Sequence, residues 1–151
     1  MFAERMDQAR AAMARQGLDA VLLSVGADLP YFTGYEAMPL ERLTMLVLPR
    51  DGDATLLIPE LEAPRVVERP EVFSLLPWGE TQDPIAMVAD LLGRASTAAI
   101  GDQTWSRFTV DLLAAMPQLT LRRASEVTSP IRAVKSDDEV ARLRTAAEAV
   151  D

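Results

Sequence analysis

Pro49-Arg-Asp-Gly-Asp53 stands between two apolar runs, residues 43–48 and 54–58. An Asp-Gly pair flanked in this way signals an antiparallel hairpin. Around that hairpin the chain alternates helix and strand patterns. Phe2, Met6, Ala9 and Met13 recur along one face of a helix over residues 2–16, and Gly17 is its expected left-handed stop. Ala20-Val-Leu-Leu-Ser24 has the length and apolarity of a buried strand. A short helix is expected over residues 59–68, started or interrupted by Pro64, with a strand over residues 72–76. Asp83-Pro84 opens a helix, a capping side chain followed by proline at the first helical position, that runs through Ile85, Val88 and Leu92 to Gly93. Residues 97–100 read as a strand, 106–115 as a helix stopped by Pro117, and 119–121 as a last edge strand. Alternation of this kind builds an α/β layer structure, and the embedded hairpin makes its sheet mixed. One domain is expected over residues 1–128, and residues 129–151 form a linker and the start of an outgoing helix.

Composition removes several classes of function. The chain has 151 residues, 49% of them hydrophobic, which suits a single domain with a real core. Its 15 basic and 23 acidic residues give a net charge of −8, and the basic residues are scattered, which argues against a nucleic-acid partner. No apolar run is long enough to span a bilayer. Glu4, Arg5 and Asp7 speak against a signal peptide, and with no cysteine framework the expected location is cytoplasmic. The absence of His and Cys closes Ser-His-Asp and Cys-His chemistry and removes the usual zinc ligands. Acid–base groups are limited to Asp, Glu, Lys and Tyr. This chain is expected to contain neither a catalytic residue nor a metal ligand.

The last stretch reads as a helix leaving a finished domain. Ser136 and Glu139 have the spacing of a capping box. Val140, Leu143, Ala147 and Val150 follow at helical spacing and need a partner surface. The expectation is a polypeptide that continues past Asp151.

The same segment carries a family pattern, in Ile131-Arg132, Lys135-Ser136, Glu139, Arg144 and Ala146 or Ala147. It resembles the segment that closes the N-terminal domain of the creatinase/prolidase/aminopeptidase P metalloenzymes. Gly17-Leu-Asp-Ala-Val-Leu-Leu23 resembles that family's first helix-to-strand step, and Asp28-Leu-Pro-Tyr-Phe-Thr-Gly34 its Asn-x-x-Tyr-Leu-Thr-Gly loop. Glu41-Arg-Leu-Thr-Met-Leu-Val47 is similar to the strand that follows, and Trp78 with Asp83-Pro84 to its Trp-to-Asp-Pro loop and helix. At one position the chain departs: Asp28 stands where the family usually has Asn, an acceptor-only group in place of a donor and acceptor.

The resemblance implies a three-layer α/β/α domain, ribonuclease H-like, with a mixed sheet of five or six strands. It implies a non-catalytic partner to a C-terminal catalytic domain acting on Xaa-Pro peptides with two divalent metal ions (Mn, Co or Zn), in a homodimer. The Asp28–Arg42 region would approach the neighbouring subunit's active site. There Tyr31 and Tyr35 could pack on an imino-acid ring, Arg42 could fork a substrate carboxylate, and Trp78 could act as a lid. The bland reading makes these a glycine-terminated turn and core packing; for Trp105, at a helix start, packing is expected. Asp137-Asp138-Glu139 reads as helix-dipole acids and not as a metal site. Ser24-Val-Gly-Ala27 follows a strand, but without any Gly-x-Gly it makes a poor phosphate loop. The alternatives are a creatinase-like amidinohydrolase domain, a stand-alone α/β binding module, and an interaction module that self-associates through the exposed stripe.

Overall fold

The computed structural model describes residues 1–149; Val150, the last member of the predicted stripe, and Asp151 lie outside the described residues. The chain forms helix α1 (Phe2–Gln16), strand β1 (Ala20–Leu23), helix α2 (Asp28–Thr33), and the hairpin β2 (Met45–Pro49) and β3 (Thr55–Pro59). Strand β4 (Ser74–Trp78), helix α3 (Pro84–Leu92), strand β5 (Thr97–Ile100), helix α4 (Ser106–Ala115) and strand β6 (Thr120–Arg123) follow. Helices α5 (Ser125–Ala133) and α6 (Asp137–Glu148) complete the order.

The six strands make one sheet in the order β4-β3-β2-β1-β5-β6. The hairpin pairs antiparallel, with Leu46 opposite Leu56, and β2 also pairs antiparallel with β1. All other neighbours are parallel, so β2 alone is reversed. Side chains alternate across the pleat. Val21, Leu23, Leu46, Leu48, Leu56 and Ile58 point to the layer that holds Met6, Met13, Phe32 and Val127, from α1, α2 and α5. Leu22, Met45, Val47 and Leu57 point to the other, where Val88, Leu92, Phe108 and Leu112 come from α3 and α4. Burial on both faces is why the central strands read as unbroken apolar runs. The result is the expected three-layer α/β/α sandwich.

Punctuation works as the residues require. Gly17 sits at φ 68° and its N–H closes α1 on the Met13 carbonyl. The Asp83 carboxylate accepts from the N–H groups of Ile85 and Ala86 at the start of α3. Three expectations are corrected. Residues 59–68 do not form an α-helix; only a 3₁₀ turn, Ala63–Arg65, appears. Pro64 fits a first turn, but the segment then extends at Val66 and has no stripe to bury. The fourth strand runs two residues later than expected, because a turn on the Arg69 carbonyl engages the N–H groups of Val72 and Phe73. The Asp28–Gly34 segment is not a plain loop: Pro30 lies within the first turn of α2, where a missing N–H costs nothing.

Helix α5 runs across the division expected at residue 128, with Pro130 inside it. Proline has no N–H to give the Glu126 carbonyl, and the Gln16 side-chain amide donates to that oxygen instead, at 3.1 Å. Arg122 then donates to Gln16 and to Glu126, joining β6, the end of α1 and α5.

Candidate functional site

Because only β2 is reversed, the carboxyl ends of the other five strands share one edge of the sheet, the edge where α/β folds gather ligand loops. That rim has two parts.

The first lies over β1–β4. Thr33 at the end of α2 accepts from the Tyr35 N–H at 3.1 Å while its hydroxyl donates to the Leu29 carbonyl. Gly34 makes the turn between them at φ 76°, where a Cβ would come within 3.1 Å of the Phe2 ring, so only glycine fits without displacement. Tyr35 is thereby turned inward, 8% exposed, and its hydroxyl donates to Glu62 at 3.0 Å. Arg42 pairs with Glu80 at 2.8 Å. The indole of Trp78 is 9% exposed and packs in the core, donating its N–H to the Leu43 carbonyl at 2.8 Å. These bonds lace the loop at residues 35–44 to the turns that follow β3 and β4. Met38 and Leu40 on the first loop, and Leu61 (76% exposed) and Val67 beyond β3, stay open to solvent.

The four residues singled out from the sequence are therefore not brought into mutual contact by any hydrogen bond, although Tyr35, Arg42 and Trp78 brace the same rim. Tyr31 lies on the α1 side, half-buried, with the Arg5 guanidinium 3.7 Å from its ring centre. Trp105 precedes α4, partly exposed, and stacks on Phe108. Glu62 and Glu80, the partners that fix Tyr35 and Arg42, carry no local sequence signal.

Burial and the Glu62 carboxylate push the Tyr35 hydroxyl up from 10.0 to about 12. A group whose folded value is raised contributes stability that is full below the unfolded value and is lost as pH rises through the folded one. Alkaline titration is expected to weaken the fold between about pH 10 and about 12, and Tyr35→Phe is expected to remove that slope. Denaturant melts across the range check this; an unchanged slope in the variant would contradict the Tyr35–Glu62 assignment.

The second part is a cleft of about 160 Å³ between the ends of β1 and β5, lined by Ser24, Gly26, Asp28, Asp102, Ser129 and Arg132 among others. Asp28 accepts from Thr128 Oγ1 at 2.9 Å and from Arg132 Nη1 at 2.7 Å. The acceptor-only residue at the position usually held by Asn thus anchors α5 to α2. Asp102 accepts from the Ser125 hydroxyl at 2.8 Å at the start of α5. Among the described residues no three His, Cys, Asp or Glu side chains stand close enough to hold a metal ion. The metal pair implied by the family pattern does not fit these side chains. Among the described residues no helix is long and apolar enough to cross a membrane.

Residues 5–134 match the family model described as Creatinase/Prolidase N-terminal domain. A probable dipeptidase PepE of Mycobacterium tuberculosis is 32% identical over the whole of this chain, which covers 41% of that protein. The crystal structure of dipeptidase PepE from Mycobacterium ulcerans superposes with a TM-score of 0.83 at 32% identity, over 93% of this chain and 38% of that one. A prolidase from Thermococcus sibiricus shares the fold with a TM-score of 0.87 at 24% identity, over 99% of this chain and 42% of that one. This chain spans 38–41% of the length of these and other curated relatives it matches.

Proposed function

This chain belongs to the creatinase/prolidase N-terminal domain family, and from that premise we propose that it is the non-catalytic N-terminal domain of a cytoplasmic, metal-dependent Xaa-Pro dipeptidase or aminopeptidase. Its work is to supply dimer contacts and one wall of the substrate cavity. The two divalent ions, Mn, Co or Zn, would be held by a C-terminal catalytic domain. Bound there, they would supply Lewis-acid chemistry to a hydrolysis. In the homodimer the rim over β1–β4 faces the neighbouring subunit's substrate, a proline-containing peptide.

The observation that carries this reading is the set of exposed apolar side chains on the loops of this rim: Met38, Leu40 and Leu61. Loops held from behind by Tyr35–Glu62, Arg42–Glu80 and Trp78–Leu43 present a stable apolar surface to a partner. Arg42 is half-exposed and its pair with Glu80 contributes only about 0–1 kcal/mol, so its guanidinium is free to turn to a substrate carboxylate. Tyr35 and Trp78 shape the wall by fixing its loops, and Tyr31 stands apart on the α1 side with Arg5 over its ring.

Leu40→Asp and Leu61→Asp in the whole protein test this. Each is expected to weaken the dimer, or raise KM for an Xaa-Pro dipeptide, by about tenfold or more. The domain's melting temperature should hold, because both side chains are exposed. Sedimentation and steady-state kinetics together read the outcome; parent values for dimerisation and KM in both variants would sink the proposal.

A further inference from the structure

Helix α5 ends at Ala133, and α6 begins after an extended joint with Val134 at φ −86°, ψ 108° and Ser136 at φ −70°, ψ 162°. None of the twelve residues of α6 is buried. A helix with no core contact takes its direction from the joint and from whatever side chain reaches it. Among the described residues one side-chain bond crosses from the domain body to α6, from Arg5 Nη2 to Glu139 Oε1 at 3.0 Å.

Both ends of that bond are prepared. Arg5 is a buried charge, 8% exposed, on the first turns of α1. Its Nη1 donates to the Tyr31 carbonyl at 2.6 Å, and its guanidinium carbon stands 3.7 Å from the centre of the Tyr31 ring. With one nitrogen held by α2 and the guanidinium resting on the ring, the remaining nitrogen is positioned for α6. Glu139 uses its two oxygens differently. Oε2 accepts from the Ser136 N–H in the capping box while Oε1 takes Arg5. The residue that starts the helix is also the residue that ties it down.

We propose that Arg5 and Glu139 are positioning residues that set the direction in which α6 leaves the domain, with Tyr31 as the platform for the guanidinium. They thereby determine which surface the stripe of half-buried Val140 and exposed Leu143 and Ala147 can meet. The inference concerns this chain alone and stands whatever the stripe docks on.

The chain has no cysteine, so Val110→Cys on exposed α4 and Ala141→Cys on exposed α6 place two unique spin labels. Double electron–electron resonance then reads the spread of distances between them. Glu139→Ala removes the Arg5 tie and the half of the box that its carboxylate makes with the Ser136 N–H, whereas Ser136→Ala removes the other half, the Glu139 N–H to Ser136 Oγ bond, and leaves the Arg5 tie in place. A narrow distribution is expected in the labelled parent and in Ser136→Ala, and one at least about twofold broader in Glu139→Ala, with similar melting temperatures in the two variants. Arg5→Lys, which keeps the charge and loses the fork, should broaden it as well; where that variant folds poorly, Glu139→Ala decides. Equal widths in Glu139→Ala and Ser136→Ala, or a parent as broad as Glu139→Ala, would overturn the proposal.

Discussion

Trp78→Ala is expected to cost about 3–5 kcal/mol of stability and lower the melting temperature by on the order of 10 °C. Trp78 ends β4, an edge strand paired only with β3, and there Pro59 lies opposite it. Its indole fills the second core beside Leu43, Met45, Leu57 and Val88. Removing it empties a large volume at the junction of sheet and α3. It also removes the N–H that satisfies the Leu43 carbonyl. Trp78→Phe separates the two effects: most of the volume stays, and the loss expected is the unsatisfied carbonyl, about 1–3 kcal/mol. Calorimetry checks both. A Trp78→Ala melting temperature within a few degrees of the parent would mean that the indole is a dispensable rim cover and not part of the core. The Leu43 carbonyl is where the 35–44 loop is fastened, so Trp78→Ala is also expected to loosen that loop.

What could be read from the residues beforehand divides by range. Gly17, Asp-Gly at 51–52, Asp83-Pro84 and the Ser136–Glu139 box all act within a few residues of themselves, and each does in the structure what its chemistry requires. Apolar runs with no polar alternation marked the buried strands, and the hairpin made the sheet mixed. Proline obscured two elements. Pro30 and Pro130 look like breakers, yet one sits in a first turn and the other has its orphaned carbonyl supplied by Gln16 from α1. No local pattern announces a donor more than a hundred residues away.

The same limit explains the site. Tyr35, Arg42 and Trp78 were visible as residue types in suggestive places. Their partners lie 27, 38 and 35 residues off, and the partners decide what the side chains do. Asp28 shows the point most sharply. Alone it is a departure from the family's Asn; beside Thr128 and Arg132, about a hundred residues on, an acceptor-only group suits the position. Tyr31 offers an aromatic face that would suit a ring substrate, and in the fold that face is taken by Arg5.

On the proposed function, this domain shapes an Xaa-Pro peptidase whose chemistry is performed elsewhere. With no His in the chain, no imidazole base can come from this domain's own side chains. The effect expected is total, not graded. The measurement is hydrolysis of Xaa-Pro dipeptides and longer proline-containing peptides, with added Mn²⁺ or Co²⁺, by the purified 151-residue chain and by the product of its whole reading frame. Cleavage at the Xaa–Pro bond is expected from the whole product and none from this chain alone. Sustained turnover by the 151-residue chain, or a whole product that is folded and metal-loaded yet cleaves no such bond, would contradict it.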